Sequence, residues 1–263
     1  MAPDEWRLLA ISYQSPHRNL ALEEALFESS KSEKFMKTIR IWTNSPTTVV
    51  GRFQDVSMEV NLQLCSRNGV QIVRRFTGGG AVYHDEGNLN ITILNKRKCN
   101  RLETVQQLNM SIIRMTLARL GVESVIDPPN CLLVDGEKVA GSAAAVNREF
   151  ILWHASLLVS TNLEMLEQIL SPSKIQAHTI HIRSNWRQTT SLQKLLHKSV
   201  QVSDVRSRLL ESLQDMLGAE LRSGSLSSEE NRILEKLHDD KYSKNSWNFR
   251  QAVPPMTQTT IAV

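Results

Sequence analysis

The sequence predicts an α+β fold with a mixed, mainly antiparallel β-sheet and flanking helices. Three observations lead there. Short alternating or β-branched segments recur from about residue 5 to 185, an Asp-Gly turn joins two apolar runs, and amphipathic helices gather after Ser191. Strict β-α-β alternation is missing, which disfavours a Rossmann or P-loop fold.

Taken in order, Trp6–Ile11 reads as a short strand. His17–Glu28 places Leu20, Leu22, Ala25 and Leu26 among polar neighbours, a helix with one core face. Thr38–Thr43 alternates and Thr47–Val50 is β-branched, so both read as strands. Val70–Phe76 and Leu89–Leu94 are further strands flanking a glycine run. Leu102–Leu120 repeats apolar residues at helical spacing, with Gly121 as its C-terminal stop. Cys131–Val134, Asp135-Gly136 and Lys138–Val146 form a hairpin signal, because Asp-Gly tolerates the positive φ angles of a tight turn. Phe150–Val159 returns as a third strand. Ser203–Leu217 and Ser227–His238 follow as helices, the second opened by a Ser227…Glu230 capping box. Residues 249–263, with Pro254-Pro255, read as a frayed tail behind a domain spanning 5–248.

Composition narrows the function classes. The 263 residues suit one large domain, and 41% apolar with 22% charged residues exclude a disordered or fibrous chain. No apolar run approaches the roughly 18–20 residues that span a bilayer, so no membrane role is expected. The start, MAPDEWRLLAISYQS, has neither a secretory core nor a basic, acid-poor transit pattern. Cys65, Cys99 and Cys131 are unevenly spaced without a C-x-x-C, which favours a reducing, cytoplasmic setting. A net charge of +4 is mild and dispersed, and points to no nucleic-acid partner. His178-x-x-His181 has no companion ligands nearby, so no resident metal is expected.

One segment carries most of the chemistry: Arg74-Arg75-Phe76-Thr77-Gly78-Gly79-Gly80-Ala81-Val82-Tyr83-His84-Asp85-Glu86-Gly87-Asn88-Leu89-Asn90. Three consecutive glycines, in a chain with only eleven, expose amide N–H groups to an anion and remove any Cβ that would block a ligand. Arg75 just before them can hold phosphate or carboxylate in a fork geometry. A glycine-rich turn with surface arginines is the plainer alternative. No Gly-Lys-Ser/Thr ends the run, so it is not a Walker A loop. Contiguous glycines followed by a strand also exclude the dinucleotide G-x-G-x-x-G.

This segment resembles the R-R-x-[ST]-G-G-G-A-V-[YF]-H-D-x-G-N signature of the lipoate–protein ligase family, within the biotin/lipoate ligase superfamily. Two downstream segments are similar to the same family: Asn130–Ala143 to its N-D-[LI]-x-x-x-G-x-K-[IV]-x-G-[ST]-A hairpin, and Leu152–Val159 to its H-[AG]-[ST]-L-L strand. Weaker echoes lie in NLALEEAL and KYSKNSWNF, so the likeness covers about residues 7–248. It implies a biotin/lipoate ligase-like catalytic domain using ATP, with Mg²⁺ accompanying the nucleotide. Lipoate would be activated to lipoyl-AMP and passed to a lysine of a lipoyl carrier, either a glycine-cleavage H-type protein or the lipoyl domain of an acyltransferase subunit.

By resemblance Lys138 is the central catalytic residue, its ammonium stabilising negative charge between carboxylate and α-phosphate. Arg75, Thr77, Gly79, Gly80, His84, Lys138 and His154 would bind lipoate. Arg75, Gly78, Gly80, Ala81, Val82, Tyr83, Asn88, Asn130, Lys138 and Ala143 would bind ATP and the adenylate. Arg183-Ser184 with Thr189-Thr190 loosely resembles the family's adenylate loop.

Two departures bear on function. Where the family has Asn-Asp, this chain has Asn130-Cys131, so any Asp contribution to Mg²⁺ or ribose is missing. Cys131 also raises an alternative, a lipoyl or octanoyl transferase with a pre-activated or carrier-bound donor, although that nucleophile sits elsewhere in the fold. The chain ends soon after KYSKNSWNF, as in bipartite ligases, so a separate small accessory subunit is expected. A non-catalytic adenylate-binding module is a third reading. A biotin ligase is disfavoured because RRFTGGG stands where that family has G-R-G-R-x-G.

Overall fold

The structure, a computed structural model, describes residues 4–32, 35–97, 101–170 and 183–250. Its strands are β1 (Asp4–Leu9), β2 (Thr38–Trp42), β3 (Thr47–Val50), β4 (Gln71–Arg74), β5 (Val82–His84), β6 (Asn88–Lys96), β7 (Val125–Asp127), β8 (Cys131–Val134), β9 (Glu137–Val146), β10 (Phe150–Leu158) and β11 (Ala219–Ser223). The helices are α1 (Pro16–Ser29), α2 (Val56–Glu59), α3 (Leu62–Arg67), α4 (Leu102–Ala118), α5 (Leu163–Ile169), α6 (Leu192–Leu196), α7 (Val202–Leu217), α8 (Ser228–Leu237) and α9 (Asn245–Asn248), with a π-helical turn at His238–Tyr242.

Eight strands form one sheet in the order β11-β1-β2-β6-β10-β9-β8-β7, and β4-β3-β5 form a second. Pairings from β2 to β7 are antiparallel, whereas β1 pairs in parallel with both β2 and β11. Two expectations are corrected here. The strand predictions imply one sheet ending near residue 185, but β3, β4 before the glycine run and β5 just after it form a sheet of their own, while the predicted Leu89–Leu94 strand stays in the large one as part of β6. Ala219–Ser223 then returns to the large sheet after α7, in a region read as helical.

Alternation explains how the sheet positions a site. Leu89, Ile91 and Ile93 of β6, with Trp153, Ala155 and Leu157 of β10, point into a core under α4 and α7. The intervening residues Asn88, Asn90, Thr92, His154 and Ser156 face the other side. There Leu94 and Leu152 meet α1 in a second core, and α8 packs on α1. That second face is polar in its middle, where buried polar residues gather instead of aliphatic ones. The capping box of α8 forms as read: Glu230 N–H donates to Ser227 Oγ, and Ser227 N–H to the Glu230 carboxylate.

Among the described residues no helix is long and apolar enough to cross a membrane, and no three His, Cys, Asp or Glu side chains converge on a metal position. His178, His181, Cys99 and the tail from residue 251, on which expectations were placed above, lie outside the described residues.

Candidate active site

A cleft opens on the polar face of the large sheet, between the glycine loop and the β8–β9 hairpin. It has two compartments of about 830 and 760 Å³, and Lys138, Gly141 and Ser184 line both. The larger reaches Glu23, Trp42, His84, Asn90 and His154; the smaller is walled by Tyr83, Leu158, Leu166, Leu170 and Trp186.

The hairpin places the central cation. Asp135 and Gly136 both take positive φ, the tight turn its sequence demands. The strand then carries Lys138 back so that its stem lies over Gly141: a Cβ there would fall 2.6 Å from Lys138 Cε and 2.7 Å from Nζ. Only a glycine leaves that space. Among the described residues the ammonium has no hydrogen-bond or ion-pair partner. Its backbone is held by residues 188–190, with Lys138 N–H donating to Gln188 O (2.8 Å) and Thr190 N–H to Lys138 O (2.9 Å).

The glycine loop forms the opposite wall. Gly79 adopts φ +88°, and no hydrogen bond uses the N–H groups of Gly78, Gly79 or Gly80 among the described residues. Such a run of free amides suits an anion. Arg75, however, turns inward. Its Nε donates to Thr77 Oγ1 (3.0 Å) and Gly78 O (3.1 Å), Nη1 to Val49 O (3.1 Å), and Nη2 to Gly78 O (2.6 Å) and Gly80 O (2.7 Å). The guanidinium therefore braces the loop that presents the amides. Arg74, on the other face of β4, does the same for Gly51 and Gln54 carbonyls and for α9. Burial lowers both guanidinium groups to about 10, which leaves them charged at neutral pH.

Deeper in the cleft a polar relay runs across the sheet. His154 Nδ1 meets Glu23 Oε2 (2.9 Å), and its Nε2 meets Thr77 Oγ1 (2.9 Å). Burial alone would raise the Glu23 carboxyl. His154, Arg40 and Thr92 outweigh it and hold the group below the ordinary carboxylate value. His84 is pushed down to about 3, by burial first and then by the nearby Arg75 charge, so its ring is neutral.

The cleft thus gathers Arg75, Gly80, Ala81, Val82, Tyr83, His84, Asn130, Lys138, Ala143 and His154 along its walls. Thr77, Gly78 and Gly79 support it from behind through the Arg75 and His154 contacts. Asn88 does not face it. Its Oδ1 accepts from Asp85 N–H and the Thr161 hydroxyl, and its Nδ2 donates to Tyr83 O and Ser156 Oγ, which fills its capacity. The His-Asp-x-Gly-Asn stretch is largely a turn lock: Asp85 accepts from Gly87 and Asn162 amides.

Glu23, Trp42 and Asn90 were not singled out by sequence. The one available signal is Glu23, an acid between Leu20 and Leu26 on the apolar stripe of α1. Ser184 lines both compartments and is tied to the glycine-loop wall, its hydroxyl accepting from Ala81 N–H (2.9 Å) and Gln54 Nε2 (3.0 Å). Cys131 lies on the cleft wall opposite Gly141 in the ladder.

The chain is similar to the bi-partite lipoate protein ligase of Thermoplasma acidophilum, whose structure belongs to an archaeal lipoylation system with an E2 lipoyl domain. Identity is 26%, the TM-score 0.83, and coverage 94% of this chain and 97% of that one. A lipoate-protein ligase A solved with bound ATP is 25% identical, with a TM-score of 0.82 and coverage of 94% and 99%. Octanoyltransferase LipM of Geobacillus kaustophilus is 26% identical over 278 residues, 95% of this chain and 100% of the relative. Residues 15–214 match the lipoyl protein ligase A/B catalytic domain. With that match across most of its length, on this fold and around this cleft, the chain belongs to the lipoyl protein ligase A/B catalytic-domain family.

Proposed function

We propose that this chain is an ATP-dependent lipoate–protein ligase that forms lipoyl-AMP and transfers the lipoyl group to a lysine of a lipoyl carrier domain. The observation that carries the reading is the Lys138 ammonium, without a partner among the described residues, lying over Gly141 where the two compartments meet. Lipoate fits the larger compartment with its carboxylate at Lys138. The nucleotide fits the apolar smaller one, its phosphates reaching Lys138 and Ser184, which line both compartments.

In the first step a lipoate carboxylate oxygen attacks the α-phosphorus of ATP and pyrophosphate leaves. Lys138 neutralises charge on the carboxylate and the phosphoryl oxygens, a preorganised cation beside the reacting atoms. In the second, the neutral ε-amine of the carrier lysine attacks the acyl carbon, an amide forms, and AMP leaves with the bonding pair. Mg²⁺ enters with the nucleotide. Cys131 replaces a carboxylate with a soft thiol, so Asn130-Cys131 does not suit a resident hard cation.

The test is lipoate-dependent exchange of pyrophosphate into ATP, run with and without a small accessory partner of the kind the bipartite relative's name describes. It is followed by mass analysis of a lipoyl domain for one lipoyl group on lysine. Absence of exchange under every condition refutes the reading. A second reading, transfer from a carrier-bound octanoyl or lipoyl group, is favoured by the full-length likeness to an octanoyltransferase and by Cys131 on the cleft wall. Modification from acyl carrier with none from free acid plus ATP, lost in Cys131→Ala, selects it.

A further inference from the structure

The larger compartment holds buried polar atoms that the chemistry at Lys138 does not use. Asn90 on β6 is 1% exposed, lines the compartment, and has neither amide atom paired among the described residues. In the ladder it stands opposite Ser156, which in turn stands opposite Gly141. Two strand spacings therefore separate Asn90 from the glycine beneath the Lys138 ammonium, about 9.5 Å. That is close to the reach of an extended eight-carbon acid whose carboxylate sits at Lys138.

His84 adds a second unpaired group, and its tautomer follows from its neighbours. The Tyr13 amide and the Arg40 guanidinium both donate to Asn19 Oδ1, so the Asn19 amide nitrogen is the donor to Asn44 Oδ1. Asn44 Nδ2 then donates to His84 Nδ1 at 3.2 Å. The neutral ring must carry its proton on Nε2, and that N–H is buried with no partner among the described residues, beside Trp42, its ring 6.1 Å from the indole. Two donors and one acceptor, with no partner among the described residues, thus line this part of the compartment. A hydrocarbon tail would leave all three unpaired.

We propose that Asn90, with His84 beside it, selects an acid bearing sulfur at its far end, a 1,2-dithiolane or the corresponding dithiol, over the unsubstituted eight-carbon acid. Disulfide sulfur accepts from the Asn90 and His84 N–H groups; a thiol S–H can also donate to Asn90 Oδ1. The inference rests on the lipoate reading above and names the contact that sets its selectivity.

The experiment compares lipoate, dihydrolipoate and octanoate as substrates for pyrophosphate exchange, with binding of each acid measured by calorimetry. The wild-type protein should favour the better sulfur acid over octanoate by at least about tenfold in kcat/KM, expressed mainly in KM. Asn90→Leu should narrow that ratio to within about threefold while keeping kcat, because it removes the unpaired amide as well as the sulfur contact. Asn90→Ala serves where the larger side chain prevents folding. Equal use of octanoate by the wild type, or an unchanged ratio in a folded variant, overturns the proposal without touching the ligase reading. Failure of the wild type to bind any of the acids removes that reading, and the proposal with it.

Discussion

The two walls of the cleft each bring a cation to the same space and use it oppositely. On the glycine-loop side Arg75 is buried and directs its donors at Thr77 and at the carbonyls of Val49, Gly78 and Gly80. On the hairpin side Lys138 stands over a glycine with no partner among the described residues. A loop built to offer amides to an anion turns its carbonyls the other way, and those carbonyls need donors of their own. The rigid guanidinium fork supplies several at once, whereas a single ammonium on a flexible stem is better left free to meet a changing charge. An arginine before a glycine run is therefore as readily the loop's internal brace as the ligand's clamp.

If that division holds, Lys138→Ala should give the largest functional loss. Exchange of pyrophosphate should fall about 100- to 1000-fold, the scale on which preorganised charge stabilisation acts. Urea unfolding should move by less than about 0.5 kcal/mol, since no structural contact is removed. Arg75→Ala should do the reverse. It orphans three backbone carbonyls and should cost roughly 2–4 kcal/mol of stability, with Arg75→Lys a poor rescue because the fork is lost. A folded, stable Arg75→Ala protein with only a raised KM would make the guanidinium a ligand and collapse the distinction.

Gly141→Ala probes the hairpin wall from below. The added methyl meets Lys138 Cε and Nζ at 2.6 and 2.7 Å, and a side-chain tip can shift where backbone cannot. Exchange should drop roughly 10- to 100-fold through misplacement of the ammonium, while stability stays within about 1 kcal/mol. Full activity would show that the observed pose is not the productive one.

How much of this was legible depended on whether the decisive information is local. The β8–β9 hairpin was readable nearly to the residue because Asp135-Gly136 fixes the turn and apolar runs flank it. The β6 and β10 strands were visible through β-branched and aromatic residues that fill the core beneath α4 and α7. Ala219–Ser223 was not, because AELRS has no β-branched residue and becomes a strand only by pairing with β1 after the left-handed turn at Gly218. The site divides in the same way. Lys138 and the glycines were marked by their motifs. Asn90 looked like any alternating polar strand residue, and only the sheet order shows that its outward face is the floor of a cleft. Asn88, two residues away, was read as a nucleotide contact, yet the Asp85 and Thr161 hydrogen bonds that occupy it arise from chain reversal at Gly87.

The smallest predicted effect separates the walls by pH. In the unfolded chain His84 titrates near the ordinary value of about 6.5, and in the folded protein burial and Arg75 push it down to about 3. Between those values the unfolded chain holds one more proton, so stability is intact above pH 6.5 and declines as the pH falls towards 3. The limiting slope for one group is about 1.4 kcal/mol per pH unit. Going from pH 7 to 5.5, the wild type should lose about 1.2 kcal/mol more than His84→Gln, which cannot titrate there. Glu23 does not confuse this window, because its carboxyl lies below the ordinary carboxylate range and its contribution is lost only in stronger acid. Equal pH dependence in the two proteins would mean that the ring takes up its proton in the folded state beside Arg75. The Asn19–Asn44–His84 chain of donors would then no longer dictate a neutral Nε2–H, and the glycine-loop wall would carry a second cation rather than one brace.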